Sequence, residues 1–198
     1  MSTQIRKAVI DRKTNETQIR LELGLDGTGQ VDLKTGVPFL DHMLTLFAVH
    51  GFFDITLLAE GDVEIDAHHT VEDIGICLGE ALSRALGDRK SIRRYGHAMV
   101  PMDEACARVV LDISNRPYLV LETPDLADRV GQFETELLPE FFRAVCLRAG
   151  LTLHIQVLYG QNTHHMIEAI FKAFGRSLDD ATQTDERRTG VPSSKGTL

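Results

Sequence analysis

The chain has 198 residues, with 29 acidic and 21 basic side chains and a formal net charge of −8. Hydrophobic content of 43% and charged content of 25% are ordinary globular values and exclude a disordered or fibrous chain. The acidic balance, with no basic block, argues against nucleic acid as a partner, and the length suits one large domain or two small ones.

The N-terminus, to Ile10, carries no apolar run of signal-peptide length and is not a Ser/Arg-rich transit peptide. No stretch approaches the ~20 apolar residues of a membrane span. Residues 17–26 alternate, with Ile19, Leu21, Leu23 and Leu25 on one face of a strand. Asp26-Gly27-Thr28-Gly29 is a turn, followed by a short strand to about Lys34. Asp41 is placed to cap a helix that Gly51 stops. A strand over 52–60 follows. Val71, Ile74, Leu78, Leu82 and Ala85 then recur at helical spacing from Thr70 to about Leu86. In the second half, strand patterns cover 97–102, 104–113 and 117–123, and a helix fits 135–149 before Gly150. Leu151, Leu153, Ile155 and Val157 alternate in a strand, and Ile167, Ile170, Phe171, Phe174 and Leu178 mark a last amphipathic helix.

Both halves therefore read strand, strand, strand, helix, strand, helix. Shifting His68–Leu82 by 96 places it on His164–Leu178, with six of 15 positions identical, among them the His pair, Glu72 with Glu168 and Gly79 with Gly175. Glu16 and Arg20 match Glu104 and Arg108 at the heads of equivalent strands. The expected fold is α+β: duplicated βββαβα half-domains forming two mixed four-stranded sheets, with helices packed between or against them. The units are 1–92, first repeat, and 93–182, second repeat. Each is small enough that the two should share a core. The polar tail, 183–198, belongs to neither and by itself reads as a frayed terminus. Cys77, Cys106 and Cys146 are odd in number and far apart, and read as buried free thiols of a reducing cytoplasm.

Each repeat carries His-His-x-x-Glu at a helix start. Positions i and i+4 share a helix face, so His68 with Glu72, and His164 with Glu168, can each grip one ion. His69 and His165 lie about 100° around and should serve a different ion. Four imidazoles and two carboxylates suit two metals. Nitrogen and oxygen donors without thiolate favour Mn, Fe, Co, Ni or Zn, and octahedral Mn²⁺ fits best. His42, near the start of the first-half helix, and Glu140, on the counterpart helix, would add one ligand to each half. His50, two turns from His42, could face the same site. His97 and His154, in strand patterns, read as structural.

Asp-His-Met-Leu (41–44), Asp-Ala-His-His-Thr-Val-Glu-Asp (66–73), Pro-Met-Asp-Glu-Ala (101–105), Thr-His-His-Met-Ile-Glu-Ala (163–169) and Pro-Ser-Ser-Lys-Gly (192–196) together resemble the imidazoleglycerol-phosphate dehydratase family, in order and spacing, over nearly the whole chain. The resemblance implies a ribosomal protein S5 domain 2-like fold and a lyase of histidine biosynthesis. Its reaction converts imidazole glycerol phosphate to imidazole acetol phosphate. It implies two Mn²⁺ per active site, one shell being His42, His69, His164 and Glu168 and the other His68, Glu72, His165 and Glu140. Relatives often have histidine where Glu140 stands; glutamate still supplies a hard oxygen. The resemblance further implies a homo-oligomer of 24 subunits with cubic symmetry and active sites between subunits.

The proton to be lost is not next to a carbonyl, so enolate chemistry is closed. Two cations flanking the imidazole nitrogens would stabilise imidazolate, which can expel hydroxide. Glu16, matching a substrate-contacting glutamate of the family, is the candidate acid/base; its repeat partner Glu104, beside Asp103, is the weaker one. Arg94 and Arg116 match phosphate contacts, and Ser194-Lys195-Gly196 adds a hydroxyl, an ammonium and flexible N–H groups. That reverses the frayed-tail reading. Lys172, one turn past Glu168, is a further substrate-binding candidate that could face the site. The rival enzyme is a di-metal hydrolase of a small phosphorylated metabolite. A metal-storing shell is disfavoured, because storage bundles carry Glu-x-x-His on long helices.

Overall fold

The computed structural model describes residues 6–198; the start of the N-terminal stretch, 1–5, lies outside the described residues. Fourteen elements are described. The first half contains β1 (Lys7–Lys13), β2 (Thr17–Gly24), β3 (Val31–Lys34), α1 (Pro38–Gly51), β4 (Asp54–Gly61) and α2 (His68–Leu86). The second contains β5 (Tyr95–Met102), β6 (Ala105–Asp112), β7 (Tyr118–Glu122), a two-residue ribbon β8 (Arg129–Val130) and β9 (Phe133–Glu134), α3 (Leu137–Ala149), β10 (Thr152–Tyr159) and α4 (Thr163–Thr182).

The strand orders are β1-β2-β4-β3 and β5-β6-β10-β7. In each sheet two antiparallel pairings are followed by one parallel pairing, as a strand–helix–strand crossover requires. This is the expected pair of mixed sheets, built twice. Ile19, Leu21 and Leu23 of β2 point into the core, as their alternation predicts. His97 and His154 both lie opposite Val110 on the outer face of the second sheet.

The helices lie between the sheets, α2 on β1 and β2, α4 on β5 and β6. The shared core comes from cross-pairing: α2 packs on α3, and α1 on α4. Glycines permit the close approach. A Cβ added at Gly79 would lie 2.6 Å from the Val145 carbonyl oxygen, and one at Gly175 would lie 2.3 Å from that of Phe47. The duplicated glycines are thus the two crossing points of the helix pairs. Gly175→Ala is expected to force α1 and α4 apart and to cost about 1–3 kcal/mol or more. Gly190→Ala, where a Cβ would meet nothing within 4 Å, serves as the neutral control in the same urea titration.

Two helix signals are corrected. α1 begins at Pro38, with Val37 as its cap residue. Proline suits a first turn, where its missing N–H costs nothing. Asp41 sits inside that turn, and its Oδ1 accepts the Thr35 N–H at 3.1 Å. The left-handed C-cap is Phe52 at φ 57°, not Gly51. Gly51 is needed within the helix, where a Cβ would lie 2.7 Å from the Gly175 carbonyl oxygen. Gly150 does cap α3 in the left-handed region, at φ 68°.

The three cysteines are free and buried, and burial pushes the Cys77 and Cys146 thiols up to about 12. They are inert packing groups. No described helix is long and apolar enough to cross a membrane.

Candidate active site

The cross-pairing brings the first turns of α1 and α4 together. His42 Nε2 lies 3.6 Å, and His164 Nε2 3.2 Å, from Glu168 Oε2, and one donor atom from each residue falls within 4.8 Å of the others. These two imidazoles and a carboxylate form one open face of nitrogen and oxygen donors, a set that fits a divalent transition metal. The other carboxylate oxygen of Glu168 accepts from Lys172 Nζ at 2.6 Å. Burial pushes the Glu168 carboxyl up, but Lys172, His42 and His164 outweigh it and hold the group below its ordinary value. The cluster opens on a groove of about 850 Å³ lined by Val37, Phe39, Ile65, Phe133 and Leu137.

The second repeat-related set is His68, Glu72 and Glu140. Within one chain these residues do not converge as the first set does. Both oxygens of Glu140 accept from Arg143 Nη1, at 2.5 Å. The His68 backbone N–H donates to Asp66 Oδ1 at 2.7 Å, opening α2. Glu72 is half-buried.

His69 and His165 face away from their neighbours, as the helical geometry predicts. His69 Nδ1 lies 3.0 Å from Asp62 Oδ2, and its Nε2 lies 3.9 Å from Glu16. His165 Nδ1 lies 2.7 Å from Glu104 Oε2. The hydrogen bonds to Asp62 and Glu104 raise the two imidazoles above their ordinary value. Glu104 is in turn held down to about 2, first by His165 and then by the Asn162 N–H. α4 itself is capped by Asn162, whose side chain accepts from the His164 and His165 N–H groups.

The remaining expected residues lie at the other end of α4. Arg94 is 9% exposed. Its Nε and Nη2 donate to Asp112 at 2.6 and 3.0 Å, and its Nη1 to the Pro192 carbonyl at 2.7 Å. The exposed Arg116 reaches the same Asp112 at 3.7 Å. The tail is anchored beside them. Ser91 N–H donates to the Gly190 carbonyl and Ser91 Oγ to that of Arg188. A turn at Ser193 then ends on Gly196, with φ 75° and its N–H donating to the Ser193 carbonyl at 3.0 Å. Ser194 and Lys195 are exposed on this turn. His50 lines a separate hollow with His97, Arg176 and Asp179. Burial, then the charges of Lys172 and Arg176, lowers it below the ordinary histidine value.

Asp62 and Asp112 join these residues only through the fold. Asp62 lies outside the repeated motif and has no local signal. Asp112 ends β6, and only the sheet register, which pairs it with Tyr95 next to Arg94, reveals its partner.

The chain as a whole is similar to known proteins. The family profile described as imidazoleglycerol-phosphate dehydratase matches residues 35–178. The imidazoleglycerol-phosphate dehydratase of Syntrophobacter fumaroxidans is 69% identical over 193 residues, covering 98% of each chain. That of Bacillus subtilis is 59% identical over 194 residues, covering 98% of this chain and 100% of its own. The crystal structure of the Pyrococcus furiosus enzyme in complex with (S)-C348 superposes with a TM-score of 0.82 at 39% identity, covering 96% of this chain and 100% of that one.

Proposed function

This chain belongs to the imidazoleglycerol-phosphate dehydratase family, and on that premise we propose how its residues divide the work. It is a hydro-lyase of histidine biosynthesis that takes a small phosphorylated substrate, imidazole glycerol phosphate, to imidazole acetol phosphate. The observation that carries the proposal is the convergence of His42, His164 and Glu168 within 4.8 Å of one another.

The residues that would hold two Mn²⁺ are His42, His69, His164 and Glu168 for one ion, and His68, Glu72, His165 and Glu140 for the other. When bound, the cations supply Lewis acidity at the substrate's ring nitrogens and orient the ring. Lys172 fixes the Glu168 carboxylate, leaving its second oxygen directed at the two imidazoles. Glu16 takes the proton from the carbon beyond the one that loses hydroxide, and the enol then collapses to the ketone. Arg94, Arg116, Ser194, Lys195 and Gly196 bind the phosphate, and His50, in the hollow at that same end of α4, lines the phosphate end of the substrate pocket.

Distance supports a composite site. The Arg94 N–H donates to the Ala181 carbonyl, thirteen residues and roughly 20 Å of helix beyond Glu168. A five-membered ring, three carbons and a phosphate span much less. The metal cluster and the phosphate arginines of one copy therefore serve different substrates, and the reading requires a homo-oligomer, which we take as 24 subunits with cubic symmetry. We divide the chain into repeats 1–92 and 93–182, with 183–198 as the tail that contributes to the phosphate site. Three buried free thiols suit the cytoplasm.

The test of the metal reading is metal analysis and a dehydration assay on one sample. The phosphate role of the tail has its own test. Ending the chain before Ser193 removes a hydroxyl, an ammonium and N–H donors from an exposed turn. Charge-assisted hydrogen bonds of about 1.5–3 kcal/mol convert to a KM raised roughly 10- to 100-fold, with the melting temperature held. An unchanged KM rejects the role.

A further inference from the structure

The two repeats do the same job with residues from different places. His69 and His165 occupy equivalent positions on α2 and α4, 96 residues apart. Each has its Nδ1 against a carboxylate oxygen, Asp62 at 3.0 Å and Glu104 at 2.7 Å. An ionised carboxylate only accepts, so Nδ1 carries the hydrogen in both rings and Nε2 is left with its lone pair. Yet the carboxylates are not equivalent. Asp62 follows β4, whereas Glu104 heads β6. The repeat partner of Glu104 is Glu16, which heads β2.

That difference has a consequence for Glu16. Glu104 is fully engaged: beyond His165, its other oxygen accepts the Gln161 and Asn162 N–H groups at 3.2 and 2.7 Å. Glu16 accepts no hydrogen bond from any described residue; its carboxylate lies 3.9 Å from His69 and its side chain is 53% exposed. Asp62 has taken the first-half role at a cost, because its Oδ1 is buried without a partner. Within one chain, then, the polar contact that the Asp62 side chain makes is the one to the His69 ring.

Resting on the metal reading above, we infer that Asp62 and Glu104 are the positioning residues of His69 and His165. They fix each ring so that Nε2 faces a metal, and Asp62 thereby releases Glu16 from the orienting role that its repeat partner fills. Such outer carboxylates typically govern metal affinity by 10- to 100-fold.

The test is Mn²⁺ titration of the metal-stripped full chain, following free Mn²⁺ by electron paramagnetic resonance. Asp62→Ala and Glu104→Ala are each expected to weaken Mn²⁺ binding about 10- to 100-fold. Asp62→Asn and Glu104→Gln, whose amide oxygens still accept from Nδ1, should recover most of that loss. Glu16→Gln should bind Mn²⁺ like the wild type. Melting temperature is measured alongside, and Asp62→Ala should not lower it. Alanine variants that bind as tightly as the wild type overturn the inference and leave the metal reading standing. A Glu16→Gln variant that loses Mn²⁺ as Glu104→Ala does rejects the division of labour between the repeats. A wild-type chain that takes up no Mn²⁺ removes the metal reading, and this inference with it.

Discussion

Stripping divalent metal from the full chain is expected to abolish dehydration, and returning Mn²⁺ to restore it. The magnitude follows from what the chain's own groups can do unaided. General acid–base catalysis contributes typically 10²–10⁴ in rate, while enzymes as a class reach at least about 10⁶ over the uncatalysed reaction. The C–H to be broken has no adjacent carbonyl to share its charge, so Glu16 alone is left with an ordinary, weakly acidic carbon. The expected loss is therefore at least about 10²-fold. The readout is a ketone that absorbs in alkali while phosphate is retained; inorganic phosphate release would instead identify a hydrolase. Full activity in a sample shown by analysis to be metal-free sinks the mechanism.

The same experiment has a pH limb. Metal takes neutral imidazole, so retention should fall as pH drops through the ordinary histidine value of about 6.5. The hydrogen bonds of Asp62 and Glu104 raise His69 and His165. A raised value means a proton held more firmly in the metal-free chain. Competition from protons should thus begin above pH 6.5. Metal content after dialysis across pH 5–8 checks this.

What the sequence made legible was what repeats locally. Alternation in β2 and helical spacing in α2 and α4 placed the core faces, because burial imposes periods of 2 and 3.6 on the chain. The 96-residue shift exposed the duplication, and with it the likeness of His68 and His164. Less legible was whatever depends on a partner distant in sequence. Gly51 looked like a helix stop, but its lack of a side chain is used against Gly175, and Phe52 takes the cap instead. The β8–β9 ribbon has two residues per strand, too short for any period to show. Asp62 and Asp112 act through contacts that only folding creates. Glu140 could be matched to His42 by repeat position, yet its neighbour Arg143, one turn on, claims both oxygens within one chain.

Glu16→Gln is the second large effect. The residue stands at the tip of the β1–β2 hairpin, and an exposed glutamate there would ordinarily be mobile. This tip is tied down. Thr14 Oγ1 accepts the N–H groups of Glu16 and Thr17 at 3.1 and 2.9 Å. Thr17 Oγ1 donates to Asp73 Oδ2 at 2.5 Å, and Arg12 Nη2 donates to Asp73 Oδ1 at 2.8 Å. Asp73 is buried on α2, one residue after Glu72. The hairpin is thereby fixed to the helix that carries His68, His69 and Glu72, and the carboxylate is held near the ring without bonding to it. Glutamine keeps the shape and these backbone contacts but cannot take a proton. The expectation is a kcat lowered by about 10²–10⁴, with KM within a few-fold and an unchanged melting temperature. A loss of less than tenfold in kcat would move the proton transfer to another group, with Asp103, 4.0 Å from His165 Nε2, as the first to substitute.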